Sequence, residues 1–482
     1  MRRKLLGAAL AATVTTTMFV SLEGDANACG GCFGPPPPPT EQPTVVTDHR
    51  MILSVSQQQS TLYDQIRYQG SPASFAWVLP IVGEAKVGLS ADVVFSALDA
   101  MTQTVIQAPP LNCPPPPQCN SNSRASSDSA SAGAAPPQDD GVTVLKKEVV
   151  GPYETVQLAA TDPAGLRNWL SQNGFTIPPD VSPVIDQYVT EHFDFLALKL
   201  IPGKDVKDMR PVRVTTTGAA VVLPLRMVAA GTGPIVGVSL WVVGEGRYQP
   251  QNFPAFYIPT DEIAWDWTQQ KSNYVELRAQ KTAEGAGRAW ETESSTLIDR
   301  GTLENAVTYG FVNNGRGGAP VSDPEQQAQQ AYLPEKNADG TIKKTAQQVR
   351  ADDLETLTYG IPSVATRVTR MRADLSHAAL NQDLVMIASP DQAVLPTLRR
   401  VVKELNEPSC PVYNGCVPIG TAPRSEAIER ANGETGESFA CSTSARTSAP
   451  TRSTTYPTWA GIGFGFLALA IVKASRGRRR SL

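Results

Sequence analysis

Short runs in which apolar, β-branched and aromatic residues alternate with polar ones recur along most of the chain, and windows with a helical period are fewer. Residues 51–55, 62–68 and 74–81 read as strands, separated by polar or Gly-Ser-Pro turns. Ser90 as an N-cap predicts a helix to about residue 104, with Val94, Leu98 and Met101 on one face. Residues 153–159 read as a strand. Asp162 then caps a helix carrying Leu166, Trp169 and Leu170, which stops at Asn173-Gly174. A second helix follows Pro178-Pro179 and runs to about His192. Next comes a strand-rich block at 193–201, 212–217, 219–228 and 235–243. Ile263, Trp265 and Trp267 alternate as a strand face would. Residues 313–320 and 322–340 are polar and predict surface loop with a short helix. Ordered segments at 352–357, 364–372 and 384–389 lead to a helix over 395–405. The pattern predicts an α+β fold, mostly antiparallel sheet with a few packed helices.

Composition divides the chain further. Forty prolines among 482 residues are many, and they concentrate in a polyproline spacer at 35–39 and in a Pro/Ser/Ala-rich stretch at 108–140. That stretch lacks the apolar surface needed to order itself and predicts a disordered insertion between residues 29–107 and 141–416 of an ectodomain. Residues 417–455 are polar and Ser/Thr-rich, which predicts a flexible stalk.

The two ends carry topology signals. In residues 1–28, Arg2, Arg3 and Lys4 precede an apolar run and the small-residue site Ala26-Asn27-Ala28, the pattern of a secretory signal peptide. Cleavage there exposes Cys29, which leaves open an ordinary mature N-terminus or a lipidated one. Residues 456–472, from Tyr456 through Trp459 to Val472, are uncharged and at the short limit for a transmembrane helix. Lys473, Arg476, Arg478, Arg479 and Arg480 follow as a basic cytoplasmic tail, on the positive-inside rule. The sequence thus predicts an ectodomain outside the cytoplasmic membrane, held by a single-pass C-terminal anchor that is either retained or removed by sorting.

The formal charge of −4 averages over these compartments: +1 on residues 1–28 and +5 on 473–482 leave −10 on residues 29–472. An acidic body argues against a nucleic-acid partner, because phosphate binding needs a dense Lys/Arg surface. It favours a cationic or neutral envelope protein or polymer.

Seven cysteines in an exported chain are read as disulfides before catalysis. Cys113 and Cys119, and Cys410 and Cys416, form two C-x5-C loops with proline after the first cysteine, which predicts local pairing in each. Cys29, Cys32 and Cys441 are the odd remainder: Cys32 pairs with Cys441 if Cys29 is lipidated, and Cys441 is left over if Cys29 pairs with Cys32. The three histidines, His49, His192 and His377, are scattered and read as surface or capping residues. No zinc spacing, nucleophile elbow or phosphate loop occurs, so no cofactor, metal ligand or catalytic residue is assigned. Residues 335–346 begin like a calcium loop but place Ala346 at the twelfth position, so Asp339-Gly340 reads as a turn. Trp77 and Trp241 lie in apolar runs and read as core, while Trp265 and Trp267 could instead line a binding surface. The leading function is therefore a structural or binding protein, and the alternative is a secreted hydrolase using paired carboxylates.

One set of segments makes the chain recognisable. Cys29-Gly-Gly-Cys32-Phe33, Phe75-Ala76-Trp77-Val78-Leu79-Pro80, Gly151-Pro152-Tyr153-Glu154-Thr155, Leu166-Arg167-Asn168-Trp169-Leu170, Phe193-Asp194-Phe195-Leu196-Ala197, Val222-Leu223-Pro224-Leu225-Arg226 and Thr369-Arg370-Met371-Arg372 occur in that order. Together, over roughly residues 29–400, they resemble the bacterial domain of unknown function 2330 family. The resemblance implies an exported envelope protein, often C-terminally anchored, with no assigned activity and no catalytic residues to carry over.

Overall fold

Strand Val45–Val55 lies inside the fold, and from His49 to Val55 it is buried on both faces. Met51, Leu53 and Val55 point into one core and Ile52 into another, as the two-residue period of a strand buried on both sides requires. The computed structural model describes residues 45–69, 76–116, 147–159, 162–173, 181–201, 203–204, 208–229, 232–309, 323–337, 339–414 and 417–436. The expected signal peptide, Cys29, Cys32, Cys119, Cys416, Cys441, most of the insertion, the transmembrane segment with Trp459 and Val472, and Arg478 to Arg480 lie outside them. No helix among the described residues is long and apolar enough to cross a membrane.

The expected α+β class is what the described residues form. Strand Val45–Val55 sits inside an eight-stranded sheet in the order Ala255–Phe256, Trp290–Leu297, Arg367–Ser376, Thr232–Gly244, Val45–Val55, Gln59–Gln69, Val212–Thr217, Lys86–Leu89. Five of its neighbouring pairs are antiparallel. Val45–Val55 with Thr232–Gly244, and Ala255–Phe256 with Trp290–Leu297, are parallel.

Helix α1 (Asp92–Thr102) covers one face of this sheet, packing Phe95 and Leu98 on Trp241 and Ile52. Helices α2 (Pro163–Gln172) and α3 (Ser182–Thr190) belong to a second layer described below, and α4 (Leu225–Val228) packs on the opposite face of the large sheet. Helix α5 (Tyr274–Glu284) flanks a small side sheet. Helices α6 (Arg300–Tyr309), α7 (Pro324–Gln329) and α8 (Ala346–Leu357) join α1 over the first face. Helix α9 (Arg424–Gly436) closes the described chain.

A second, four-stranded antiparallel sheet orders Ala76–Ile81, Asp194–Leu200, Tyr153–Leu158 and Lys147–Val150. Trp77, Leu79, Leu196 and Leu198 face Val212 and Val214 of the large sheet. Val78, Phe195 and Ala197 face α2 and α3 through Leu170, Ile185 and Tyr188. Asp162 starts α2 by accepting from the N–H groups of Ala164 and Gly165, with Pro163 next in line, as its sequence predicts.

Four expectations are corrected. Residues 395–405 form two short strands, Leu398–Arg400 and Lys403–Glu404, in place of a helix. There the Arg399 guanidinium is fully buried and donates to the carbonyls of Ile258 and Glu293, which fixes an extended backbone. Residues 219–228 split into strand Val222–Leu223 and helix α4, turning at Pro224. Ser90 does not cap α1; Ala91 holds that position, and the Ser90 hydroxyl donates to Asp353 instead. The first twenty residues of the expected stalk are ordered, as strand Val417–Pro423 and helix α9.

Helix α8 has the most complete N-terminus. Thr345 and Gln348 form a reciprocal capping box, and the Glu325 carboxylate of α7 accepts from the N–H groups of Ala346 and Gln347. Partial burial pushes the Glu325 carboxyl up, but these N–H groups and the Thr345 hydroxyl outweigh it and bring it down to about 2. Because the folded value lies below the unfolded one, the stabilisation is present above about pH 4.5 and is lost as pH falls toward 2. Glu325→Gln is expected to cost about 1 kcal/mol at pH 7, a figure reduced for solvent screening, and almost nothing at pH 2. Urea unfolding at the two pH values checks it.

Candidate functional site

Of the segments that carry the family resemblance, those with Trp77, Tyr153, Leu196 and Leu223 meet at the seam between the two sheets, while Leu166 and Leu170 pack on α3 and Met371 lies in the core of the large sheet. Gly151 holds φ 60° in the Gly151-Pro152 turn, a conformation strained for a larger residue, whose Cβ would also push Leu89 Cδ1 aside from 2.2 Å. This turn places Tyr153, whose hydroxyl donates to the Arg210 carbonyl at 2.7 Å and accepts from the Arg210 N–H at 2.9 Å. Trp77 stands beside it. A cavity of about 20 Å³ is lined by Asp64, Trp77, Tyr153 and Arg210. A second, of about 10 Å³, is lined by Asp64, Trp77, Leu79 and Leu223-Pro224-Leu225. Each has room on the scale of a single water.

Asp64 lines both cavities, and His49 lies beside it. His49 is completely buried on strand Val45–Val55, which corrects its reading as a surface or capping residue. Its Nδ1 lies 3.8 Å from Asp64 Oδ1, beyond direct hydrogen-bond length, and neither ring nitrogen nor that oxygen has a protein partner. His192 does cap: it sits at φ 64° just past α3, its N–H bonded to the Val189 carbonyl. His377 is exposed, with its ring against the Ala229 carbonyl.

A second polar site lies on strand Trp290–Leu297. The register against Arg367–Ser376 shifts between Thr292 and Ser294, so Glu293 is the extra residue of a bulge and both Glu291 and Glu293 are buried. Glu293 is paired with Arg370, which also binds Asp99 at 2.5 Å, and it faces Arg278 at 3.9 Å. Glu291 accepts from the Tyr274 hydroxyl of α5, and its Oε2 is buried without a partner. Burial pushes its carboxyl up and Glu293 adds to the push; Tyr274, Arg278 and Arg399 pull the other way, leaving it at about 7.

Two further charge clusters hold layers together. Arg226 of α4 forks onto Glu191 at 2.8 and 2.6 Å, reaches Asp383 at 2.7 Å and stacks over Tyr188, 4.0 Å from the ring centroid. Asp353 of α8 accepts from Arg213, Ser90 and Tyr332 in the core beneath the first sheet face.

The structure pairs Cys113 with Cys410, which overturns the two local loops expected for Cys113–Cys119 and Cys410–Cys416. Hairpin Ser409–Asn414 and Val417–Pro423 faces Cys410 inward against Val412, Ala422 and Ala427, toward Cys113. Trp77 and Trp241 are core, as expected. Trp265 and Trp267 pack edge to face at 6.0 Å, and the Trp267 indole donates to Glu404, itself forked by Arg424, so these rings are part of a packed unit. Asp339-Gly340 is a turn: Asp339 accepts from Thr341, and Gly340 has φ 81°. Among the described residues no three His, Cys, Asp or Glu side chains converge as metal ligands.

Sequence reading named neither His49 with Asp64 nor Glu291 with Glu293. The first pair is formed by strand register across a hairpin; Glu291 and Glu293 stand two apart on one strand, a spacing that puts both on one face without marking that face as buried.

Fold and seam together define an α+β protein whose two sheets pack face to face over a core with two small internal cavities. Residues 25–308, more than half the chain, match DUF2330, described as an uncharacterized protein conserved in bacteria, and the chain belongs to this family. No curated protein and no solved structure matches it.

Proposed function

We propose that this chain is an exported, membrane-anchored protein of the bacterial cell envelope with a structural or binding role. The Cys113–Cys410 disulfide carries the reading, since such bonds persist in oxidising compartments outside the cytoplasm. The signal-like residues 1–28 and the apolar segment followed by five basic residues support it in the same direction. The acidic body makes a cationic or neutral envelope component the better partner. Protease added to intact spheroplasts is expected to remove nearly the whole chain; protection of residues 29–450 would overturn the proposal.

A carboxylate-dependent hydrolase is the second reading, and Glu291 is the observation that favours it, since a carboxyl near 7 suits acid catalysis. Such an enzyme presents both carboxylates to substrate. Glu293 is instead held by Arg370 and Glu291 by Tyr274, so the binding role is preferred. Turnover of an envelope polymer that Glu291→Gln abolishes would reverse that preference.

A further inference from the structure

We propose that one proton, held on Glu291, latches helix α5 and the small sheet beside it onto the large sheet, and that the latch slackens when the proton leaves. The latch does not depend on where the protein resides.

Tyr274, at the start of α5, packs with Ile258, Ile263 and Val401 beside the sheet of Lys271–Ser272, Ala264–Asp266 and Lys403–Glu404. Its hydroxyl reaches across to Glu291 on the large sheet. Among the described residues, the arginines around that carboxyl make their bonds to other groups. From α5, Arg278 faces Glu293; from the adjoining strand, Arg370 holds Glu293 and Asp99, and Arg372, cross-strand from Glu291, turns to Asp374 at 3.4 Å. From strand Leu398–Arg400, Arg399 donates to backbone carbonyls. Glu291 Oε2 is therefore buried with no partner of its own, and Glu293 is a second carboxylate on the same strand. An ionised Glu291 would stand buried beside the Glu293 carboxylate with only the Tyr274 bond and the more distant Arg278 and Arg399 charges to offset it, whereas the neutral acid avoids that cost.

The direction of the pH effect follows. The folded carboxyl is raised to about 7 from an ordinary value of 4.5, so docking is fully stabilised below about pH 4.5 and weakens as pH rises through 7. If opening exposes Glu291 to water, the opening equilibrium rises about tenfold per pH unit across that window, about 300-fold in all, and is flat above it.

Hydrogen exchange of residues Tyr274–Glu284 in the full chain, corrected for the intrinsic pH dependence of amide exchange, tests this. The expected result is a rise with pH up to about 7, and no such rise in Glu291→Gln, which keeps a neutral group of the same shape. Tyr274→Phe removes a hydrogen bond that lowers the Glu291 carboxyl, so it should move the upper end of the window to higher pH. A lost anchor alone would change exchange without moving that end. If Glu291→Gln does not fold, the infrared carbonyl band of a protonated carboxylic acid reads the same group: it should disappear from the wild type through about pH 7, and later in Tyr274→Phe. Exchange in α5 that is independent of pH, an unchanged pH dependence in Glu291→Gln, or an infrared band unmoved by Tyr274→Phe would overturn the proposal.

Discussion

Asp353→Ala is expected to lower the unfolding free energy of the chain by about 3–5 kcal/mol, because it strips a buried ion pair of one partner and leaves the other charged. Asp353 is 1% exposed. Arg213 donates to its Oδ1 at 2.9 Å, while Ser90 and Tyr332 donate to Oδ2 at 2.7 and 3.1 Å. Tyr63 reaches its backbone carbonyl at 3.3 Å. The carboxylate thus ties α8 to the loop before α1, to the Tyr332 turn and to strand Val212–Thr217, and the Asp353 carbonyl adds strand Gln59–Gln69 through Tyr63. Burial pushes the Asp353 carboxyl up against the pull of Arg213, Ser90 and Tyr332. Removing the carboxylate leaves the buried Ser90 and Tyr332 hydroxyls without this acceptor and Arg213 with its charge unpaired, holding the Asp352 carbonyl. Arg213→Met on top of Asp353→Ala is expected to restore part of the loss, since the stranded guanidinium goes with it. Denaturant titration of the two variants decides: a single-variant cost below about 1 kcal/mol would mean that the network does not hold these layers.

Loss of the Cys113–Cys410 bond is expected to cost about 2–5 kcal/mol, near the upper end if loop length governs, because the bond joins positions 297 residues apart. It anchors a unit that has little else. The hairpin Ser409–Asn414 and Val417–Pro423 with α9 buries Cys410, Val412, Ala422 and Ala427, too small a core to stand alone. Arg424 adds a fork onto Glu404, and Ser425 N–H a bond to Glu407. Cys113→Ser with Cys410→Ser should therefore release α9 and its hairpin before the sheets. Peptide mapping without reductant should recover the 113–410 pair, and limited proteolysis with and without reductant should show cleavage near residues 409–436 appearing first on reduction. Recovery of a 113–119 peptide in place of the linked pair would contradict the assignment.

What the sequence made readable was what depends on near neighbours. The Asp162 cap, the Asn173 stop, the Trp77 run and the strand at 51–55 rest on contacts within a few residues or on short apolar runs. The misreadings share a different cause. Residues 395–405 carry a helical spacing of apolar positions, yet Arg399 is drawn into the interior by carbonyls from residues 258 and 293. Cys113 has a cysteine six residues away and bonds one 297 residues away. His49 has no polar neighbour in sequence that explains it, and meets Asp64 through hairpin register. The Glu291 site depends on Tyr274, seventeen residues away on α5, whose hydroxyl meets the carboxylate only when that helix docks on the large sheet.

The order of strands in the large sheet also sets a timetable. Thr232–Gly244 pairs on one side with Val45–Val55 and on the other with Arg367–Ser376, and the last of these in turn carries Trp290–Leu297. The region that defines the family ends at residue 308, before Arg367–Ser376 has been made. The matched part of the chain thus holds strands on both flanks of a gap that only later sequence can fill. Sheet closure waits on contacts of long sequence separation, which slows folding and keeps strand edges open in the meantime. The family boundary is a boundary of resemblance, and the folding unit runs past it.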